Sequence, residues 1–345
     1  AVVVVPRDPP QNYSDCCSVA IFLLDVRSHR TPYHHHHHSN ESGDFLGERQ
    51  WEWLRQALGR SRAASNILVS GIQVHAHRAA NPDVAESWSH YPVAQNRLYQ
   101  TLLQPNVRAP LIVSGDVHHA QFLKRICRHK DNSQSMASDS STKNMNDDDD
   151  AALFTRPLVE MTTSGMTHSW GGPHFCGCSD MGVLCKTRWL SWVTRNIMDF
   201  AQWIHPWTDV MIVHDNNNKS NNNEGTKRGL QYTLDLNYAE LEFDWTRRKV
   251  DARVRGLQDD PPLLHLTWTL EELTATTAGR AAIPSTGDWN CVNHRGVAHP
   301  AHLALASTLS LLFALFMFMT PILVPYIVAM LVRRLWVFRR RRLCS

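Results

Sequence analysis

Asp116 and His118 are the residues with the clearest chemical use. They close the stretch Leu111-Ile112-Val113-Ser114-Gly115-Asp116-Val117-His118-His119. One carboxylate and one imidazole, two residues apart, are a suitable donor pair for a first-row metal ion. The apolar residues before them read as a buried strand, and the two small ones allow a close turn. In an open α/β sheet, ligands bind where polar side chains emerge at the strands' carboxyl ends. The same residue types are also common in ordinary turns, so the rest of the chain decides. A second small-residue turn, Thr162-Thr163-Ser164-Gly165-Met166-Thr167-His168-Ser169, ends in His168. A third strand end, Asp25-Val26-Arg27-Ser28-His29-Arg30, offers an acid and two arginines. Arg27 and Arg30 can bind an anion, or they can form a structural ion pair at a sheet edge.

The elements that would position these residues follow from apolar periodicity. Val2 to Val5, Ser18 to Asp25, Asn66 to Gly71 and Leu111 to Gly115 read as strands. Leu46, Trp51, Leu54 and Leu58 fall on one face of an amphipathic helix, and its tryptophans are most simply core. Glu86 to Leu103 is a loop running into a second helix. Strand, helix, strand, helix, strand in that order suggests parallel crossover units. Arg156 to Thr163 returns to strand character, and the second half of Gly171 to His205 is helical. Four short runs, Gln231 to Leu236, Ala239 to Asp244, Lys249 to Val254 and Leu263 to Thr269, suggest an antiparallel meander. Low-complexity inserts interrupt this order at 131–150 and 216–223, and a five-histidine run at His34 to His38 is a solvated insert. The reading gives one domain over 1–272 and a linker over 273–300.

Composition separates the body from the C-terminus. The hydrophobic share of 43% and the 12 tryptophans argue for a packed core. The formal charge of +3 includes six arginines within the last 13 residues. Without them, 29 basic residues face 32 acidic ones, so a nucleic-acid-binding body is not expected. Residues 301–332 contain no Asp, Glu, Lys or Arg and are long enough to cross a bilayer as one helix, kinked at Pro321 and Pro325. The basic tail, 333–345, then places the C-terminus in the cytoplasm and the body in a lumen or outside the cell. A buried core helix followed by a nucleic-acid-binding tail is the competing reading.

Eight cysteines fit an oxidising compartment, though sequence does not give their connectivity. Cys176, Cys178 and Cys185 cluster and could instead be three zinc ligands, while Cys127 and Cys291 stand alone. Asn-x-Ser sequons begin at Asn12, Asn40 and Asn218, all in polar stretches suited to N-glycosylation.

Several motifs occur together in one order. They are Asp25-x-Arg27-x-x-Arg30, Leu46-Gly47-x-x-Gln50-Trp51-x-Trp53-Leu54, Ser70-Gly71-x-Gln73, Ser114-Gly115-Asp116-Val117-His118, Thr163-Ser164-Gly165-x-Thr167-His168 and Asn237-Tyr238-Ala239-x-Leu241-x-Phe243-Asp244-Trp245. From about Val19 to Trp245 the chain resembles the PhoD-like metallophosphatases (alkaline phosphatase D), members of the calcineurin-like phosphoesterase superfamily. The resemblance implies an α/β fold, a four-layer α/β/β/α sandwich, here incomplete. It implies a centre of two divalent or trivalent metal ions (Fe, Ca, Zn or Mn) and hydrolysis of phosphate mono- or diesters by metal-activated hydroxide. On that resemblance Asp116 and His118 are metal ligands, His118 and His168 catalytic residues, and Arg27 and Arg30 phosphate-binding residues. The family's early motifs, a Ser-Cys segment, a Gly-Asp-x-x-Tyr-like segment and a Trp-Asp-Asp-His-Asp-like segment, are not in this chain. The expectation is therefore an N-terminal part preceding Ala1, with about half a metal centre in the chain itself. The expected protein is a single-pass, membrane-anchored phosphoesterase whose partners are a phosphate ester and, through 301–332, the lipid bilayer. The alternative is a non-catalytic membrane protein that keeps the fold for binding.

Overall fold

The computed structural model describes residues 2–6, 17–32, 43–76, 86–130, 152–167, 169–171, 189–204, 231–257, 261–274, 288–293 and 300–343. The low-complexity stretches at 131–150 and 216–223, the five-histidine run, His168 and the three sequon asparagines lie outside the described residues. The chain divides into two compact units, Ala1–Gly172 with Trp207–Val297, and Pro173–Pro206 with Ala298–Ser345.

The first unit is built on an eight-stranded mixed sheet. Strands β1 (Val2–Pro6), β2 (Ser18–Leu23), β3 (Ser65–Ser70) and β4 (Pro110–Ser114) run side by side. Strand β5 (Ala120–Lys130) turns back against β6 (Ala152–Thr162), and β6 inserts beside β4. The neighbours β2, β3, β4 and β6 are all parallel. The crossovers are helices α1 (Gly47–Arg60) and α2 (Pro92–Leu102), as parallel neighbours require. The expected strand–helix alternation is borne out here.

Sequence explains how the helices pack. Trp51, Leu54 and Leu58 are the buried stripe of α1. At its start the Asp44 carboxylate accepts the Gly47 amide at 2.8 Å and also the Trp51 indole N–H at 2.9 Å. One acid therefore satisfies an open helix amide and fixes the central tryptophan. Pro92 stands in the first turn of α2, where its missing N–H is harmless. At the far end of α2, the buried Arg156 guanidinium donates to the carbonyls of Leu103 (3.2 Å) and Val107 (3.0 Å). Burial lowers the pKa of that guanidinium to about 10.

Two apolar clusters lie on opposite faces of the sheet. Ile112 of β4 joins Phe22, Leu54, Leu68 and Leu98 in the cluster under the helices. Its neighbour Leu111 joins Phe122, Val159 and Met161 in the other. Alternation along a strand accounts for the split. The second cluster is closed by a separate antiparallel sheet of β8 (Tyr238–Asp244), β9 (Lys249–Arg255) and β10 (Leu264–Thr269), with the short helix α4 (Leu270–Thr274). A helical layer outside this small sheet, the fourth layer of the expected sandwich, is not among the described elements of the unit.

Two expectations need correction. The run starting at Gln231 does not join the meander. It forms β7 (Tyr232–Thr233), which pairs with β5 in the large sheet. The stretch read as a linker contains β11 (Asp288–Asn293), an edge strand antiparallel to β5. Cys291 sits opposite Cys127 in that register, and the two form a disulfide. A six-residue strand rich in Asn and Asp has little strand signal of its own, and the pairing with β5 makes it one.

The second unit contains α3 (Trp189–Ile204) and α5 (Pro300–Leu343). Phe200 stacks on Phe313 at 4.2 Å between ring centroids. The single span expected over 301–332 is not found. No single helix among the described residues is long and apolar enough to cross a membrane. Instead Ala304–Thr320 and Leu323–Arg334 form a pair bent by 50°, which meets the length and composition requirement together. Pro321 stands at the break, and a proline removes a helix hydrogen bond and kinks the axis.

The disulfide closes a loop of 164 residues. Replacing both Cys127 and Cys291 with serine should lower unfolding stability by about 4 kcal/mol, read as a lower urea midpoint. An unchanged midpoint would show that β11 docks without the crosslink's help.

Candidate active site

The four parallel strands all end at one edge of the sheet, where open α/β sheets bind ligands. Their exit turns converge. A Cβ placed on Gly115 would lie 3.7 Å from the Thr163 carbonyl, 3.8 Å from the Ser164 hydroxyl and 3.9 Å from the Gly71 carbonyl. The ends of β3, β4 and β6 thus meet at one point.

A buried carboxylate holds them there. Glu160 of β6 is fully buried. Its Oε1 accepts the Val74 amide at 2.8 Å and the Ser114 hydroxyl, and its Oε2 accepts the His75 amide. The Thr162 hydroxyl bridges Ser114 (2.9 Å) and the Gln73 amide (3.0 Å). His75 is itself buried between the Tyr99 hydroxyl (3.0 Å) and the Leu158 carbonyl (3.2 Å). The carbonyl must accept, so Nε2 carries the proton and Nδ1 receives the tyrosine hydroxyl. Burial, and then the charge of Arg125, push the His75 pKa well below its ordinary value.

Beyond Ser114 the chain turns sharply. Asp116 (φ 80°) and His118 (φ 55°) both adopt left-handed backbone, which a non-glycine residue rarely does. Residues 169–170 grip this turn: the Trp170 amide donates to the His118 carbonyl at 3.2 Å, and its indole donates to the Val117 carbonyl at 2.6 Å. The Trp170 ring lies edge-on to the His118 ring, 6.5 Å between centroids.

Asp116 meets the arginines at the end of β2. Arg27 Nη2 donates to Asp116 Oδ1 at 3.0 Å, and Arg27 Nη1 donates to Glu86 Oε2. Arg30 donates to the other oxygen of Glu86. Glu86 therefore carries both guanidiniums, and Asp116 shares one of them. The turn beneath is rigid. Asp25 accepts the amides of Arg27 (3.0 Å) and Ser28 (2.9 Å), and the Gln50 side chain clamps the Asp25 peptide through two hydrogen bonds of 2.9 and 2.8 Å. Hydrogen bonds from Ser28, side chain first, and from the Arg27 amide hold the Asp25 carboxyl down at about 2.

The structure thus brings Arg27, Arg30, Asp116 and His118 to one sheet edge. His168 lies outside the described residues. Glu86 and Glu160 were not singled out from sequence. Glu86 follows a polar loop, and Glu160 looks like one polar residue in a strand, so neither carries a local signal. His119, next to His118, turns inward: its Nδ1 donates to the Val117 carbonyl at 2.9 Å. Burial lowers its pKa.

Beside His118 a cleft of about 470 Å³ opens between the 163–167 turn and the corner at 237–239. Thr163 Oγ1 donates to Asn237 Oδ1 at 3.1 Å, and the Asn237 amide donates to the Gly165 carbonyl at 3.0 Å. A Cβ on Gly165 would overlap Asn237 Nδ2 at 2.0 Å, so only glycine allows this approach.

Asp116 and His118 are donors of the right kind for a metal ion. Among the described residues, however, no group of three His, Cys, Asp or Glu side chains could hold one. The described residues alone do not complete a metal site.

Comparison with known proteins places this edge in context. Residues 17–159 match the family model described as PhoD-like phosphatase. The matched stretch takes in Arg27, Arg30, Glu86, Asp116 and His118 and stops one residue before Glu160. PhoD-like proteins are metal-dependent phosphatases. Among solved structures, one titled "Structure of PhoD" matches at 14% sequence identity and a TM-score of 0.41, over 91% of this chain and 48% of that one. The chain spans about half the length of that protein. No curated protein matches the chain.

The neutral, buried His75 makes the site's scaffold sensitive to acid. Its proton is excluded in the folded state but bound in the unfolded state below about pH 6.5. Stability it contributes is present above that pH and is lost as pH falls. The loss should reach about 1.4 kcal/mol per pH unit between pH 6 and 5. Urea titrations of the protein and of His75→Gln should show that acid dependence shrinking in the variant. Equal slopes would show that His75 takes up its proton without unfolding.

Proposed function

We propose that this chain carries residues of a phosphoesterase site, acting on phosphate mono- or diesters. One observation carries the reading: within PhoD-like sequence, Arg27 meets Asp116 at the shared carboxyl edge of the parallel strands. In this reading Arg27 and Arg30 bind phosphate oxygens, for which planar guanidiniums are suited. Glu86 sets the spacing between them. Asp116 and His118 would hold a metal ion together with donors from outside the described residues. Bound metal ions supply Lewis acidity and an activated water in such sites. The left-handed turn at 116–118 then serves to aim two side chains at the substrate rather than along the strand.

Location follows the same reasoning. The helix α5, with its broadly exposed apolar surface, anchors the chain in a bilayer as a bent span. The arginines from Arg333 onward then face the cytoplasm, and the phosphatase unit faces a lumen or the outside. The Cys127–Cys291 disulfide supports an oxidising compartment. The protein should remain in the membrane pellet after alkaline carbonate extraction, and removal of 300–345 should release it. Release of the intact protein would end the anchoring proposal.

A binding-only reading has support from one feature: Asp116 is already paired with Arg27. Hydrolysis of p-nitrophenyl and bis-p-nitrophenyl phosphate, measured alongside metal content on protein purified from its native source, separates the two. The enzyme reading expects hydrolysis, with Asp116→Asn lowering metal content and cutting kcat/KM by about 100-fold or more. Arg27→Gln should chiefly raise KM, by about tenfold. A metal-loaded protein without turnover, or an Asp116→Asn variant with unchanged metal and rate, would favour binding only.

A further inference from the structure

We infer that the cleft beside His118 seats the uncharged organic group of a phosphate ester. The inference rests on the reading of the adjacent turn as the phosphate site, and it adds what that site selects.

Charge is sorted across the turn. Arg27, Arg30, Glu86 and Asp116 form one cluster of ion pairs. None of them lines the cleft, and among the described residues that line it there is no lysine, arginine or carboxylate. Away from His118, a phosphoryl group placed in the cleft would meet no lysine or arginine among the described lining residues to offset its lost hydration. An uncharged group would find suitable walls. Ser164 and Thr167 present hydroxyls, Met166 a polarisable thioether, Tyr238 an aromatic ring and Ala239 a small apolar surface. Met166 is 73% exposed and Tyr238 36%, so both have surface left to bury. The volume suits the organic part of a small ester.

The cleft is also pre-formed. Its two walls are tied by the Thr163–Asn237 and Asn237–Gly165 hydrogen bonds, and the bare Cα of Gly165 sits against the Asn237 amide. A rigid cleft loses little order when a ligand enters. His118 joins the halves. It lines the cleft and lies two residues from Asp116, which Arg27 touches. An ester held by its phosphoryl group at the arginine cluster would have the cleft beside it for its organic arm.

Calorimetric titration of the full chain with inorganic phosphate, phenyl phosphate and 4-carboxyphenyl phosphate tests this directly. The expected result is phenyl phosphate binding about tenfold more tightly than inorganic phosphate. The carboxylated ester should lose that advantage. In the double variant Met166→Ala, Tyr238→Ala the ratio of the two affinities should fall to about twofold. Equal affinity for phenyl phosphate and inorganic phosphate in the unaltered chain would overturn the inference. So would an advantage that survives the double variant, or one shared by the carboxylated ester. Inorganic phosphate binding that is absent, or that Arg27→Gln leaves as it was, would instead overturn the underlying assignment of the phosphate site.

Discussion

A single buried carboxylate organises this sheet edge. Glu160 has no water to solvate it, so its oxygens must be satisfied by the protein. The donors come from residues 46 to 86 positions away, the Ser114 hydroxyl and the amides of Val74 and His75. Satisfying one side chain of β6 therefore fixes the end of β4 and the exit loop of β3. Asp116 follows Ser114 by two residues, and its position is inherited from that anchor. The disulfide and the apolar clusters stabilise the unit, but they do not set where the turns meet.

The turn itself is held against its own preference. Left-handed backbone at a non-glycine residue costs about 1 kcal/mol or more, and here it occurs twice in three residues. Hydrogen bonds from Trp170 and a guanidinium from Arg27 offset that cost. The result is a turn with an ion pair on the Asp116 side and, on the His118 side, a cleft whose described lining holds no lysine, arginine or carboxylate. A phosphate ester has the same division, a charged phosphoryl group joined to an organic arm.

Much of this was legible in the residues themselves. Apolar runs before small residues located β2, β3 and β4, and the spacing of Trp51, Leu54 and Leu58 located the buried face of α1. Asp116, Arg27 and Arg30 are common residue types at strand ends, and it was the order of the motifs around them that singled them out. Other features had no local signature. Glu160 is buried because of partners far along the chain, and Glu86 matters because two arginines from the turn after β2 reach it. The strand β11 exists through its pairing with β5, within a stretch that reads as a linker. The apolar C-terminal run was recognisable by composition, but its 50° bend depends on how the chain answers Pro321.

The central claim is that Arg27 and Asp116 mark a phosphate site. The most direct test is a crystal structure of the natively purified protein, with its own metal ions, grown with orthophosphate. The account predicts phosphate within hydrogen-bond distance of Arg27 and a metal ion on Asp116, with the Arg27–Asp116 pair opened or shared. Phosphate bound elsewhere, with that ion pair intact and no metal at Asp116, would contradict it.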